Sequence, residues 1–122
     1  MGKIDQEQYI NLETFRKSGL GVRTPVWFIS EGETIYIRTG ANSGKVKRVN
    51  NNPNVNIAPC KANGDLLGDW SRAEAFEIKD EVMVRRIDGM VGRKYGLMKV
   101  LIELMTVFSG RKYTVLAVNI TH

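Results

Sequence analysis

Four cations crowd one short polar turn. In "YIRTGANSGKVKR", residues 36–48, Arg38, Lys45, Lys47 and Arg48 stand with no acid among them. Thr39 and Ser43 add hydroxyls, and Gly40 and Gly44 add freedom for the backbone to approach a ligand closely. The chemistry such a set can do is anion binding. A helix starting at Ser43 would aim free N–H groups and the positive end of its dipole at the anion, and Lys45 and Arg48 would add charge-assisted hydrogen bonds. Two plainer readings fit the same residues. One is a solvated basic helix face beside a turn. The other is a small basic barrel that stacks nucleic-acid bases on Tyr36, Trp27 or Trp70.

Charge placement sharpens the choice. The net charge is +5, and residues 34–64 carry all of it: five basic residues and no acid, which leaves 13 basic and 13 acidic residues elsewhere. A field this local suits one small anion better than a polyanion coat. The loop is not a nucleotide P-loop. Only three residues separate Gly40 from Gly44, and Val46 follows Lys45 where a magnesium-binding hydroxyl is required. Gly19 and Gly21 form a GxG without a third glycine or a following helix, so there is no dinucleotide fingerprint.

Acid–base machinery is scarce. The single histidine is His122, the last residue, and the single cysteine is Cys60, beside Pro59 at a predicted strand end. A Ser-His-Asp or Cys-His arrangement has no well-placed base, and no CxxC or HExxH metal motif exists. Any redox or group-transfer chemistry must therefore be borrowed from a cofactor. One cysteine excludes an intrachain disulfide, and the opening "MGKIDQEQYINLE" lacks an apolar signal core, so the expectation is a cytoplasmic protein. The run "GLMKVLIELMTVF" is interrupted by Lys99 and Glu103 and falls far short of the roughly 20 residues of a membrane span.

The elements that must position these residues read mostly as strands. Residues 9–16, 22–30 and 34–39 are β-rich and separated by the turns "SGLG" and "EGE", a meander with the spacing of a barrel or sandwich. Pro25 lacks a donor and predicts a bulge, an edge or a strand start. Residues 43–52 form a short helix, with Ser43 as N-cap, Val46 and Val49 on one face, Lys45 and Arg48 on another, and Pro53 as the stop. Strands follow at 54–60 and 69–78, the second with Ala73, Ala75 and Phe76 expected half-buried. From Asp80 the period turns helical through Met83, Ile87, Met90 and Val91. A second, nearly all-apolar helix is predicted over 97–110, and "KYTVLAVNI" closes as a strand. The whole is one α+β domain, residues 1–122, built on an antiparallel barrel.

The blocks "TPVWF", "SGKVKR", "NPNVNIAPC" and "GDW…A", in that order and at close spacing, resemble the pyridoxamine 5'-phosphate-oxidase-like split-barrel flavoproteins. Within them they are most similar to the small branch of probable coenzyme F-420-dependent enzymes. The resemblance implies a split β-barrel with a short phosphate-side helix and two helices in its C-terminal half. It implies a homodimer with FMN or coenzyme F-420 at the subunit interface. It also implies hydride transfer to a small-molecule substrate, with no nucleic-acid or membrane partner and no metal.

By the same resemblance, the phosphate falls on Thr39, Ser43, Gly44, Lys45 and Arg48. The ring lies along Arg23, Thr24, Pro25, Val26 and Trp27, whose backbone meets its polar edge. Arg38 reaches ring or phosphate, and Pro59, Cys60 and Trp70 line the pocket. Lys47 points to solvent or to the anionic tail of a longer cofactor. One departure stands out: the oxidases carry an Arg-Lys pair at the phosphate turn, and here the first member is Gly44. With no C-terminal Arg/His substrate motif either, vitamin B6 oxidation is not expected. A binding or carrier protein without turnover would share every one of these residues.

Overall fold

The computed structural model describes residues 7–98 and 113–121. Nine elements follow in order: β1 (Tyr9–Phe15), β2 (Gly21–Val26), β3 (Ile29–Glu31), β4 (Thr34–Gly40), α1 (Gly44–Asn51), β5 (Asn54–Cys60), β6 (Ser71–Ile78), α2 (Glu81–Tyr95) and β7 (Tyr113–Ile120). The helix expected over 97–110 lies outside the described residues, apart from its first two.

The seven strands form one sheet in the order β2-β1-β5-β6-β7-β4-β3, antiparallel at each pairing. Its shape follows from chain connectivity. β2 and β3 stand at opposite ends of the sheet, yet only Trp27 and Phe28 join them. Three Cα steps reach at most about 11 Å, whereas seven flat strands would hold their outer members roughly 29 Å apart. The sheet must curl until its ends meet. This corrects the expected meander: residues 22–30 are not one strand but two, broken at the seam, and β2 does not pair with β3. Pro25 lies on an edge strand, where a missing N–H costs nothing.

Alternation along the strands divides the core in two. One cluster fills the curl, with Ile10 and Leu12 (β1), Ile35 and Ile37 (β4), Val55 and Ile57 (β5), Ala73 and Ala75 (β6) and Leu116 and Val118 (β7). Val46 and Val49 of α1 join it. Phe76 faces the other way and is exposed, where half-burial was expected. The second cluster lies outside the curl, where Ile87, Val91 and Tyr95 of α2 cover Ile29, Tyr36, Val115 and Ala117. β7 is thus buried on both faces, which is why "VLAV" (115–118) reads as an unbroken apolar run.

The end of α2 clamps the seam. The Tyr95 hydroxyl accepts from the Phe28 N–H at 3.0 Å and lies 2.7 Å from the Gln8 carbonyl it can donate to. Lys94 Nζ donates to the Phe28 carbonyl at 2.9 Å, and the Tyr95 ring stacks on Trp27 at 4.3 Å. Burial pushes the Tyr95 phenol up to about 12, so it keeps its proton for these bonds.

Candidate functional site

The basic loop caps one end of the curl, between β4 and α1. Ser43 occupies the N-cap position of α1 with extended backbone angles, but its side chain makes no capping bond. Its Oγ is buried and has no hydrogen-bond partner. No acid stands in the first turn of the helix. The N-terminal N–H groups of α1 therefore have neither a side-chain cap nor a first-turn acid to meet them among the described residues.

The charged side chains described here are all positive. Lys45 is partly buried, and desolvation first, then the Arg48 charge, lowers its ammonium pKa. Arg48 is lowered too, by desolvation and then by Arg16. Arg48 Nε donates to Oγ1 of the fully buried Thr14 at 2.6 Å. Its guanidinium folds back over the start of α1: a Cβ on residue 44 would stand 2.6 Å from Nη1. Gly44 is the gap through which Arg48 reaches the helix N-terminus. Among the described residues, no carboxylate pairs with Arg16, Lys45 or Arg48. Holding these charges together costs free energy that a bound anion would return. Lys47, on the far face of α1, is exposed.

The other expected residues fall into three places. β2 pairs only with β1, so one of its backbone edges faces no described strand. It begins opposite Phe15 and Thr14, beside Arg48, and runs through Arg23, Thr24, Pro25 and Val26 toward Trp27. Arg23 bonds Glu13 at 2.9 Å and lies 4.8 Å from the Trp70 ring centroid, which brings Trp70 to the outer face of this strand. Pro59 and Cys60 end β5. Cys60 is buried, and desolvation first, then Glu7, raises its thiol pKa, the opposite of an activated thiolate. Thr39 pairs with Thr114 in the β4–β7 register, and Thr114 donates to Glu77 at 2.9 Å. Arg38 belongs elsewhere. It turns to α2, where its Nε meets Asp88 Oδ1 at 2.6 Å and its guanidinium lies over the Tyr113 ring. The aromatics do not form a stacking platform, since Tyr36 is buried and Trp27 is covered on one face by Tyr95.

No protein-family model matches the sequence, and no curated protein matches it either. Solved structures do. A Clostridium acetobutylicum protein related to general stress protein 26, of the pyridoxinephosphate oxidase family, superposes with a TM-score of 0.69 at 11% identity, over 98% of this chain and 80% of that one. The chain has the split-barrel fold of the pyridoxamine 5'-phosphate oxidase-like proteins. The Vibrio cholerae heme storage protein HutZ shares it, with a TM-score of 0.70 at 11% identity over 98% and 85% of the two chains. An F420 reductase matches with a TM-score of 0.63 at 13% identity over 98% and 90%.

Within this split barrel, the sequence reading missed two contributors to the basic end. Thr14 was counted only as a strand residue, yet it orients Arg48 from 34 positions away. Arg16 was likewise absorbed into a strand. The pair Arg16-Lys17 ahead of "SGLG" is the signal that a second cationic turn could share the site. The described residues at the cup can hold and orient an anion. None of them offers a poised general acid, general base or nucleophile.

Proposed function

We propose that the chain binds a phosphate-bearing flavin or deazaflavin, FMN or coenzyme F-420, and uses it as an oxidoreductase on a small-molecule substrate. The observation that carries this reading is the cup itself: an orphaned Ser43 hydroxyl, a Gly44 gap and two desolvated cations, Lys45 and Arg48, with no described acid to meet them. The residues fit a phosphate. Ser43 and the N–H groups of α1 would donate to its oxygens, Lys45 and Arg48 would balance its charge, and Thr14 would hold Arg48 in place. The edge of β2 starts beside the cup, so a ring attached to that phosphate would run along residues 23–27. At about 3.3 Å per residue, that stretch covers roughly 13 Å.

The ring would supply the hydride chemistry, which agrees with a site lacking acid–base side chains. Two solved neighbours support a cofactor role for the fold by what they are called, an F420 reductase and a heme storage protein. Arg38 is left out of this reading because Asp88 engages it. We further propose a homodimer that completes the ring pocket, and a cytoplasmic setting in keeping with a single cysteine.

Titration of the purified chain with FMN and with F-420, followed by absorbance and fluorescence, tests the reading. Binding in the micromolar range is expected. If neither ligand binds tighter than about millimolar, roughly −4 kcal/mol, the proposal fails. Stopped-flow mixing of the reduced complex with a panel of acceptors then separates an enzyme from a carrier: an enzyme oxidises its bound cofactor faster than buffer does with at least one acceptor.

A further inference from the structure

The far end of β2 has strand support on one side only. It pairs with β1 alone, and after Val26 the chain leaves it to cross the seam. At the crossing, consecutive side chains part: Trp27 packs outside the curl and Phe28 fills its interior. Two side chains at the end of α2 take hold of this pair. The Tyr95 hydroxyl accepts from the Phe28 N–H at 3.0 Å, and it lies 3.0 Å from the Phe28 carbonyl and 2.7 Å from the Gln8 carbonyl, just ahead of β1. Lys94 Nζ donates to the Phe28 carbonyl at 2.9 Å and lies 3.6 Å from the centre of the Phe28 ring. The Tyr95 ring backs Trp27 nearly face to face, at 4.3 Å and 10°.

Docking α2 does not require the hydroxyl. Ile87 and Val91 are buried and anchor the helix, and a phenylalanine at 95 would stack on Trp27 as a tyrosine does. The partners of the hydroxyl are backbone groups at the start of β1 and just past the end of β2. It therefore ties together the two strands at the far end of the edge that starts beside the cup.

We infer that Tyr95, seconded by Lys94, is a positioning residue for the cofactor ring. From α2 it holds the Trp27–Phe28 peptide, and through it the far end of the 23–27 edge, where a ring anchored by its phosphate must lie. A displacement of about 1 Å there is enough to spoil the contacts of a rigid ring. This role rests on the cofactor reading above and extends it to two residues outside the cup. A hydroxyl serving only to satisfy the buried Phe28 N–H would stabilise the fold and leave ligand binding alone.

Tyr95→Phe and Lys94→Met are compared with wild type and with Ile87→Val, which trims the buried face of the same helix about two turns back from Tyr95. Thermal melts give stability. Well below every melting transition, titration with FMN and F-420 gives the affinity for the whole molecule, and calorimetric titration with inorganic phosphate gives that of the cup alone. The absorbance and emission of the bound ring report its surroundings.

Tyr95→Phe is expected to bind the ring-bearing ligand about tenfold more weakly, the scale of one lost buried hydrogen bond. Its phosphate affinity should stay within about twofold, and the spectrum of its bound ring should shift. Lys94→Met should move the same quantities in the same direction by about threefold. Ile87→Val should melt earlier and change none of them. A Tyr95→Phe variant that loses stability but binds and absorbs like wild type overturns the positioning role, and so does an equal loss for phosphate and ring-bearing ligand. Should Tyr95→Phe fail to fold, Lys94→Met, at an exposed position, decides by the same comparison. A wild type that binds phosphate but neither FMN nor F-420 removes the cofactor reading, and the positioning role with it.

Discussion

The two ends of the barrel treat positive charge in opposite ways. On the α2 side each of three cations has a described partner. Arg38 meets Asp88, Arg86 forms a two-point contact with Glu31 at 2.6 and 2.9 Å, and Lys94 bonds the Phe28 carbonyl. On the α1 side Lys45, Arg48 and Arg16 stand together with no described carboxylate to pair with them. The residue types are the same; the bookkeeping of partners is not. Two of these cations find acids within the fold, and the third a backbone carbonyl. Cations gathered without acids raise the energy of the free protein, which is what a site prepared for an outside anion looks like.

Breaking a pair on the α2 side should produce the largest loss of stability. Arg38 and Asp88 side chains are 19% and 23% exposed, so most of their charge is out of water. Asp88→Ala leaves Arg38 without its counter-charge, and a loss of about 2–3 kcal/mol is expected, below the full cost for a completely buried pair. Urea unfolding of wild type and variant measures it. A loss under about 0.5 kcal/mol would mean the pairing on this side is ornamental and the contrast between the two ends has no energetic content.

The same operation at the basic end should behave differently. Lys45→Ala is expected to weaken cofactor binding by about 1.5–3 kcal/mol, the scale of a charged hydrogen bond, without lowering the stability of the free protein. The pH dependence carries the sign. Lys45 is lowered from 10.5 in the folded chain by burial and by Arg48. Below its folded pKa, Lys45 therefore subtracts from stability. Between the folded pKa and 10.5 the unfolded state binds more protons, so stability rises with pH and the penalty is relieved. Melting curves over that window should show the rise in wild type, a smaller one in Lys45→Ala, and a reduced one when ligand saturates the cup. A Lys45→Ala variant that binds normally but unfolds more easily would reverse the assignment of this end.

Sequence made the local parts of this site legible. Ser43, Val46, Val49 and Pro53 defined α1 to within a residue or two, because a helix's face, start and stop are written in neighbouring positions. β5 was readable over its full length for the same reason. Pairings across the chain were not. Phe28 marks no strand boundary by its type; the break exists because the sheet closes there, a fact of topology. Arg38 looked like a member of the phosphate set because it sits seven residues before Lys45, yet strand alternation turns it to the opposite face and to Asp88, 50 positions away. Thr14 and Arg16 joined the cup through the β1–β2 hairpin, which no local pattern ties to α1.

Gly44 allows a finer cut than deleting a charge. Alanine there keeps all three cations but places a methyl where the Arg48 guanidinium now lies. The neighbour is the end of a flexible side chain, so the fold should accommodate it. Stability should hold, or rise by up to about 1 kcal/mol from the gain in helix propensity. Affinity should fall by about 1 kcal/mol as Arg48 leaves the helix N-terminus. Calorimetric titration beside thermal melts reads both quantities on one sample. Unchanged affinity would show that the position of Arg48, and so the Gly44 gap, has no part in binding.

The smallest effect belongs to Lys47, and it tests whether charge or placement makes the site. Lys47 lies between Lys45 and Arg48 in sequence and carries the same charge, but on α1 it points away from both and is exposed. At a surface position its field at the cup is screened within about 8–10 Å of salt solution. Lys47→Ala should therefore weaken FMN binding by less than about 0.5 kcal/mol, with most of that lost at higher salt. If a diffuse basic surface did the binding, Lys45→Ala and Lys47→Ala would weaken it equally and show the same steep salt dependence. Measuring the two variants side by side over a salt series decides between those pictures. A cup predicts a large, weakly salt-dependent effect at Lys45 and a small, strongly salt-dependent one at Lys47.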